Sequence, residues 1–270
     1  MKAAPHPVRG HVPRKRFGQN FLADGRVVAR ILEALCPRPG ERVVEIGPGL
    51  GALTRPLLDR LDHLDVVEID RDLAARLKEE FPADRLTVHV ADALDFDFAT
   101  LGDGLRVVGN LPYNISTPLL FRLAGFARHL HDIHVMLQKE VVDRMTAAPG
   151  TPAYGRLGVM LGYRFEVSRL FIVPPGAFRP QPKVDSAVAR LRPYTRLPFP
   201  ADDETGFARI VGAGFGKRRK TLRNALAGVV DDASFAAARI DSGRRAEDLG
   251  IAEFVALANA AAASAQARDR

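Results

Sequence analysis

The sequence is poor in residues and patterns that several classes of protein require. Its single cysteine, Cys36, excludes an internal disulfide and a zinc site built from cysteines. The seven histidines show no metal-ligand spacing on a predicted helix face, so we expect no metal ion. No stretch approaches the roughly 18 apolar residues of a membrane span, so we expect no membrane association.

Acidic residues are absent from the start of the chain as far as Asp24, whereas basic residues are frequent there. This charge resembles that of an organellar transit peptide, but Pro5, Pro7 and Pro13 oppose the amphipathic helix that such a peptide forms. No apolar segment suggests a secretory signal. We therefore expect residues 1–13 to be a flexible basic arm of a cytoplasmic protein.

The composition is that of a globular chain with a basic balance. Hydrophobic residues make up 47% of the 270 residues, enough to build one large domain or a main domain with a smaller one. Lys and Arg exceed Asp and Glu by 39 to 32, and the sequence pI is about 9.9. This balance is compatible with a nucleic-acid partner but indicates one only weakly.

Apolar segments with strand character alternate with helical patterns over the first half of the chain. Strands are predicted at 42–46, 64–69, 86–90 and 106–108, and three further strands at 133–137, 165–173 and 184–191. The alternation predicts an α/β fold with a seven-stranded, mostly parallel sheet and right-handed crossovers. We expect the last strand to be antiparallel and to lie at the end of the sheet. After a proline-containing linker at 193–200, the pattern is helical.

Glycine and acidic residues follow three successive predicted strands, where ligands bind in open α/β sheets. Gly47, Gly49 and Gly51 let the backbone turn sharply, and the helix that follows can present free N–H groups to an anion. Glu68 could hold the two hydroxyls of a ribose, and Asp92 could accept a hydrogen bond from an adenine amino group. The glycines also fit a dinucleotide fingerprint or a structural turn, and Asp92 also fits a helix cap.

The segment Gly109–Ser116, Gly-Asn-Leu-Pro-Tyr-Asn-Ile-Ser, lies where the fourth predicted strand ends and a helix begins. Pro112 favours an extended backbone at Leu111, which can place the Leu111 carbonyl beside the side-chain carbonyl of Asn110. Two acceptors next to the flat face of Tyr113 suit a planar nucleobase amine. Hydrogen bonds from its two N–H groups to these acceptors would localise the nitrogen lone pair for attack, an effect that grows toward the transition state. An isolated match of this kind could also be a turn whose tyrosine packs on the core.

Taken together, these motifs resemble the adenine methyltransferases that use S-adenosylmethionine. Three further segments are similar to the small-subunit ribosomal RNA adenine dimethyltransferase family: Gly18–Leu22, Pro174–Ala187 with its Phe-x-Pro-x-Pro-Lys-Val-Asp-Ser run, and Arg218–Asn224. The resemblance runs from about Arg14 to about Phe254 and shows no departure at a motif position.

This resemblance implies a Rossmann-like class I methyltransferase domain over residues 14–195 and a small all-α domain over 196–270 that contacts RNA or the subunit. It implies dimethylation of the exocyclic amines of two adjacent adenosines in the 3′-terminal hairpin of 16S rRNA, late in small-subunit assembly, by a monomer. S-adenosylmethionine carries its methyl group as an activated sulfonium, so the absence of a catalytic His or Cys is consistent with this chemistry.

The resemblance also assigns roles to individual residues. Catalytic roles are implied for Asn110, Leu111, Pro112, Tyr113 and Phe178, with the two aromatic rings on either face of the target base. Cofactor contacts are implied for Asn20, Leu22, Gly47, Gly49, Glu68, Asp92 and Asn110. Considered alone, Phe178 fits a core position better, because phenylalanine is so often buried.

Five basic residues fall within seven positions at the start of the helical region: Lys217, Arg218, Arg219, Lys220 and Arg223. Such a run is usually a solvated helix end. We favour contact with RNA phosphates instead, with Arg218, Arg219, Lys220 and Arg223 as the binding residues.

Three other interpretations stay open on the sequence alone. A relative that methylates an adenosine of large-subunit rRNA and confers antibiotic resistance would share the cofactor site, although the segment 218–224 argues against it. A nicotinamide oxidoreductase would explain the glycines but not Asn110–Tyr113. A non-enzymatic RNA-binding assembly factor would not need an intact Asn-Leu-Pro-Tyr motif.

Overall fold

The computed structural model describes residues 14, 18–217 and 219–268. The predicted arm over residues 1–13 and the predicted RNA contact Arg218 lie outside these residues. Contacts divide the chain into two compact units. The first comprises the described residues up to Val142 together with Val167–Pro193, and the second comprises Asp143–Glu166 and the described residues from Tyr194 onward.

Strands and helices alternate through the first two thirds of the chain, and helices follow. In chain order the elements are β1 (Phe21–Leu22), α1 (Gly25–Leu35), β2 (Val43–Ile46), α2 (Thr54–Leu58), β3 (Leu64–Glu68), α3 (Arg71–Glu80), β4 (Leu86–Val90), β5 (Leu105–Asn110), α4 (Ser116–Gly125), β6 (Leu130–Gln138), α5 (Lys139–Met145), α6 (Arg156–Arg164), β7 (Phe165–Val173), β8 (Phe178–Arg179), β9 (Ser186–Pro193), α7 (Glu204–Gly216), α8 (Leu222–Ala225), α9 (Asp232–Ala238) and α10 (Ile251–Arg268).

Seven of the strands form one sheet in the order β4-β3-β2-β5-β6-β9-β7. The strands from β4 to β6 in this order pair in parallel, and β9 pairs antiparallel with β6, which confirms the predicted mostly parallel sheet. The expected place of the antiparallel strand at the end of the sheet is wrong, because β7 lies outside β9. The side chains of β9 from Ser186 to Ala189 are all buried, as a covered strand requires, whereas β7 exposes several side chains and suits an edge.

A separate two-stranded ladder joins β1 to β8, with Phe21 opposite Arg179 and Leu22 opposite Phe178. No sequence pattern predicted this ladder, because each strand has only two residues. We call the segment Gly18–Leu22, which ends in β1, the strap. The ladder fixes the carboxyl-terminal end of the strap against the loop that precedes β9.

The core of the first unit combines residues of the sheet with those of the helices that cover it. Helix α1 begins at a side-chain cap, since Asp24 accepts a hydrogen bond from the Arg26 N–H, and it buries one apolar face formed by Val27, Ile31, Leu32 and Leu35. At Gly109, β5 passes so close to β2 that an added Cβ would lie 2.5 Å from the Ile46 carbonyl oxygen. The carboxyl ends of β2 and β5 therefore lie side by side.

The second unit is helical and has its own core, to which Tyr163, Phe207, Leu222 and Phe254 contribute. The predicted C-terminal helical part is thus confirmed. The contact division differs from the predicted boundary after residue 195, because α6 packs with the C-terminal helices and the Tyr163 hydroxyl donates to Glu204 at 3.1 Å. Nothing in the described part of the chain forms a helix that is both long and apolar enough to cross a bilayer.

Candidate active site

A cavity of about 400 Å³ opens at the carboxyl ends of the parallel strands in the first unit. Its lining includes the segments 18–22, 45–50, 67–69, 91–93 and 110–115. Every predicted cofactor contact lies on this lining, and so do Leu111, Pro112 and Tyr113. The volume falls in the range of pockets that hold a nucleoside-sized ligand. The structure therefore gathers residues that are far apart in the sequence into one site.

The turn that follows β2 depends on two glycines, Gly47 and Gly49. Gly47 and Gly49 have φ values of 67° and 57°, which residues with a side chain rarely adopt. An added Cβ at Gly49 would also lie 3.0 Å from the ring of Phe21, so the strap packs directly on this turn. The expected helix N-terminus is displaced, because α2 begins only at Thr54 and is five residues long. The backbone of the turn, rather than a helix end, faces the cavity.

Glu68 stands at the end of β3 with both carboxylate oxygens engaged by the backbone. Oε2 accepts from the Gly49 N–H at 3.2 Å, and Oε1 accepts from the Asp70 N–H at 2.8 Å. Burial raises the pKa of this carboxyl group above its ordinary value. Each oxygen keeps a second lone pair, so the carboxylate can still accept hydrogen bonds from two ribose hydroxyls.

The surroundings of Asp92 are compatible with both roles that the sequence left open. Its Oδ1 accepts a hydrogen bond from the Leu94 N–H at 2.9 Å and so closes the turn after β4. The same residue lines the cavity, and no donor among the described residues contacts its second oxygen. One oxygen thus serves the turn while the other is available to an adenine amino group.

The side chain of Asn110 is oriented by the strap. Its Nδ2 donates to the backbone carbonyl of Asn20 at 2.8 Å, and this acceptor fixes which end of the amide is nitrogen. The Leu111 N–H donates to the Met136 carbonyl on β6 at 3.1 Å. Neither the Asn110 Oδ1 nor the Leu111 carbonyl receives a hydrogen bond from any described residue. Two acceptors on consecutive residues are therefore left unsatisfied by the described part of the protein.

The two predicted aromatic residues lie in different surroundings. Tyr113 is half-buried on the cavity lining, and its hydroxyl is 2.7 Å from the hydroxyl of Ser186. Burial raises the pKa of Tyr113, so the ring carries a neutral phenol. Phe178 is 0% exposed, packs in the main core and does not line the cavity. The structure brings Asn110, Leu111, Pro112 and Tyr113 together on the cavity lining, whereas Phe178 lies outside the lining and pairs with Leu22 on the β1–β8 ladder.

An anchor for the strap was missed by the sequence analysis. The buried carboxylate of Asp70 accepts from Gln19 Nε2 at 3.1 Å and from Arg14 at 3.0 Å. Arg14 also pairs with Asp72, and its backbone N–H donates to Gln19 Oε1 at 2.7 Å. The strap is therefore tied to the end of β3 on one side and to Asn110 on the other. The available signal was a second acidic residue, Asp70, two positions after the Glu68 that ends β3.

Glu45 is a second residue that sequence reasoning did not assign to the site. It lies on the cavity lining within an otherwise apolar strand, and Thr54 Oγ1 donates to it at 2.6 Å. Burial raises the pKa of Glu45 to about 8, so the carboxyl group is protonated near neutral pH. An acid in the middle of the run Val-Val-Glu-Ile was the signal that could have found it.

The basic segment belongs to the second unit. Arg219 and Lys220 are exposed, whereas Arg223 pairs with Asp232 at 2.9 Å. Two of the four predicted RNA contacts therefore carry charges that no described acid balances. Among the residues that the structure describes, no group of His, Cys, Asp and Glu could hold a metal ion.

An open α/β sheet with a glycine turn, a buried acid at the end of β3 and two free acceptors fits the class of nucleotide-cofactor methyltransferases that act on a planar amine. A family model described as ribosomal RNA adenine dimethylase matches residues 10–263. The chain belongs to this family. It is an enzyme that transfers methyl groups from S-adenosylmethionine to adenines of ribosomal RNA, as the sequence motifs implied.

Relatives of known name cover nearly the whole chain. The ribosomal RNA small subunit methyltransferase A of Aromatoleum aromaticum is 61% identical over 253 residues, which is 94% of this chain and 96% of that protein. The protein of the same name from Thiobacillus denitrificans is 59% identical over 247 residues, or 92% of this chain and 97% of its own. The expected action on the small-subunit 16S rRNA, as an adenine N6,N6-dimethyltransferase, is confirmed.

Solved structures agree with the fold. A dimethyladenosine transferase from Plasmodium falciparum has a TM-score of 0.75 and 23% identity, covering 88% of this chain and 95% of that one. The 23S rRNA methyltransferase ErmE has a TM-score of 0.69 and 27% identity, covering 90% and 100%. The large-subunit alternative is not favoured, because identity to the small-subunit relatives is about twice as high.

Proposed function

We propose that the cavity holds S-adenosylmethionine against one of two adjacent adenosines in the 3′-terminal hairpin of the small-subunit rRNA, and that Asn110 and Leu111 grip the target amine. The observation that carries this proposal is the hydrogen bond from Asn110 Nδ2 to the Asn20 carbonyl at 2.8 Å. It leaves Oδ1 as the atom that the side chain offers to the cavity.

The residues that would hold the cofactor follow from their hydrogen-bonding capacity. The spare lone pairs of Glu68 suit two ribose hydroxyls, and the free oxygen of Asp92 suits the adenine amino group. The turn through Gly47 and Gly49 lets the backbone come close to the ligand, while Asn20 and Leu22 cover it from the strap. When bound, the cofactor supplies an electrophilic methyl group on a sulfonium.

The protein's part in the reaction is to prepare the amine. The lone pair of an adenine amino group is delocalised into the ring, which makes the nitrogen a poor nucleophile. Two acceptors that take its two N–H groups favour a pyramidal nitrogen with a localised lone pair. Pro112 fixes the backbone between the acceptors and Tyr113, and alignment replaces the need for a protein base. The proton released after transfer passes to solvent.

The ring of Tyr113 is proposed to stack on the target base after the base leaves its helix. Stacking repays part of the cost of unstacking, about 1–3 kcal/mol for an aromatic contact. The role implied for Phe178 as the second face requires the β1–β8 ladder to shift on RNA binding, because its ring is fully buried.

The proposed partner is 16S rRNA within an assembling small ribosomal subunit, bound by a monomer in the cytoplasm. The exposed charges of Arg219 and Lys220, with Arg218 and Arg223, are proposed to contact RNA phosphates from the helical part of the chain. The domain ranges 14–195 and 196–270 are proposed as the methyl-transferring and RNA-contacting parts.

A transfer assay tests this function. Small ribosomal subunits from cells that lack the enzyme are incubated with protein and labelled S-adenosylmethionine, and primer extension locates the modified bases. We expect stops at two adjacent adenosines of the 3′-terminal hairpin and none on isolated large subunits. Modification of large-subunit rRNA instead would refute the proposed target.

A further inference from the structure

Ser186 connects the proline-rich motif to the acceptor loop. It is the first residue of β9, is 0% exposed, and its hydroxyl lies 2.7 Å from the hydroxyl of Tyr113. Among the described residues, this is the one hydrogen bond that the Ser186 side chain makes. Buried polar side chains need a hydrogen-bond partner, and Tyr113 is the partner that the Ser186 hydroxyl has.

The backbone around Ser186 is held firmly by the sheet. Ser186 pairs with Gln138 in the antiparallel register of β6 and β9. The carbonyl of the preceding residue, Asp185, accepts from the Lys139 N–H at 2.9 Å. The hydroxyl of Ser186 is therefore a fixed point, placed by long strands rather than by a loop.

Tyr113, in contrast, sits in the loop between β5 and α4 and is only half-buried. Rotation about the first side-chain torsion of a tyrosine swings the whole ring, and a hydrogen bond at the far end of the ring restrains that swing. The contact with Ser186 therefore determines where the ring lies along the cavity lining.

We propose that Ser186 is a positioning residue for methyl transfer, which acts by holding the Tyr113 ring at the place on the cavity lining where it receives the target base. This inference rests on the proposed function, in which the Tyr113 ring stacks on that base. Ser186 belongs to the 174–187 motif, and the proposed chemistry otherwise assigns no role to this serine.

A double-mutant cycle tests the inference. The variants Ser186→Ala, Tyr113→Phe and the pair are compared in single-turnover transfer to small subunits from cells lacking the enzyme, with saturating S-adenosylmethionine. Loss of one neutral hydrogen bond predicts a fall of about two- to tenfold for each single variant. The pair should lose no more than either single variant, because both remove the same contact. Affinity for S-adenosylhomocysteine should stay unchanged in all three.

Two outcomes would overturn the inference: a wild-type rate for Ser186→Ala, or losses that multiply in the pair. Tyr113→Phe keeps the experiment decisive if Ser186→Ala folds poorly, since it removes the same hydrogen bond from a half-buried residue. Ser234→Ala is the matched control, because Ser234 is also a buried serine whose hydroxyl has a protein partner, Asp231. It should lower the unfolding temperature without changing the transfer rate.

A further variant separates this inference from the proposed function. Tyr113→Ala removes the ring itself, and stacking predicts a loss larger than that of Tyr113→Phe. If Tyr113→Ala transfers normally, the stacking role fails and the positioning role fails with it. If Tyr113→Ala is impaired while Ser186→Ala is not, only the positioning role is wrong.

Discussion

Replacing Asn110 by alanine should reduce methyl transfer by about a hundredfold or more. The Asn110 Oδ1 is one of two acceptors proposed to hold the amine, and loss of one such transition-state hydrogen bond costs about 2.7–4 kcal/mol. The structure adds a second, smaller effect. The variant also removes the donor to the Asn20 carbonyl, so the strap loses a contact worth about 1 kcal/mol.

These two effects appear in different measurements. The rate of a single turnover at saturating S-adenosylmethionine reports the acceptor, whereas calorimetric titration with S-adenosylhomocysteine reports the strap. We expect the rate to fall by at least about a hundredfold and the affinity by no more than about fivefold. Asn259→Ala is a suitable control, because Asn259 Nδ2 also donates to a backbone carbonyl, that of Pro200, but lies in α10. It should leave both quantities unchanged.

The reasoning would be refuted by a near-normal single-turnover rate for Asn110→Ala. It would also be refuted if the loss of transfer were no larger than the loss of affinity, because Asn110 would then act only through the cofactor.

Three further predictions concern other parts of the chain. Asp92→Ala should lower affinity for S-adenosylhomocysteine by about ten- to a hundredfold, the value of a charge-assisted hydrogen bond. Asp92→Asn keeps an oxygen for the Leu94 N–H, so it checks that the effect is not a broken turn. Unchanged affinity in both variants would show that Asp92 acts only as a cap. His134 is buried, and neither of its ring nitrogens has a hydrogen-bond partner among the described residues; it lies 3.7 Å from Asp132 and near Arg106, Arg190 and Arg192, and burial lowers its pKa to about 4 from 6.5. Because the native state favours the neutral ring, the stability that this ring contributes is fully present above the unfolded pKa. This stability falls by about 2 kcal/mol as the pH drops from about 7.5 to about 5. In urea unfolding, His134→Leu should flatten the pH dependence by that amount, and a pH dependence identical to that of the wild type would contradict the prediction. Replacing Arg219 and Lys220 by glutamine should reduce the dependence of small-subunit binding on salt concentration, measured as the slope of log affinity against log salt, by about two units. The control pair Arg71→Gln with Lys78→Gln removes the same charge from exposed positions of α3 and should leave the slope unchanged. Equal slopes for the two double variants would show that Arg219 and Lys220 contact solvent and not RNA.

Much of the sheet and of the cavity lining could be predicted because their signals are local. Apolar runs gave the parallel strands, and the glycines after β2 were needed for the left-handed backbone that Gly47 and Gly49 adopt. Asn110 ends β5, and Leu111 and Pro112 follow it directly, so their place at the carboxyl end of the strand required no knowledge of distant residues.

The parts that were missed depend on contacts between distant segments. The strap is oriented by Asp70 and Asn110, and nothing near residue 19 in the sequence announces either partner. The order of β7 and β9 depends on which strand the rest of the fold covers, a choice that two similar apolar patterns do not reveal. The burial of Phe178 follows from a ladder of two-residue strands, which is too short to give a period.

The pairing of β1 with β8 has a consequence for the order in which the site can form during translation. A growing chain exposes Phe21 and Leu22 early, but their partners Phe178 and Arg179 are synthesised only after six strands of the main sheet. Contacts between such distant segments carry a large loop-closure cost and form late. A nascent chain that ends before β8 can assemble the parallel strands, yet it has nothing to pair with the strap. Closure of the cavity by the strap therefore waits until Phe178 and Arg179 have been synthesised.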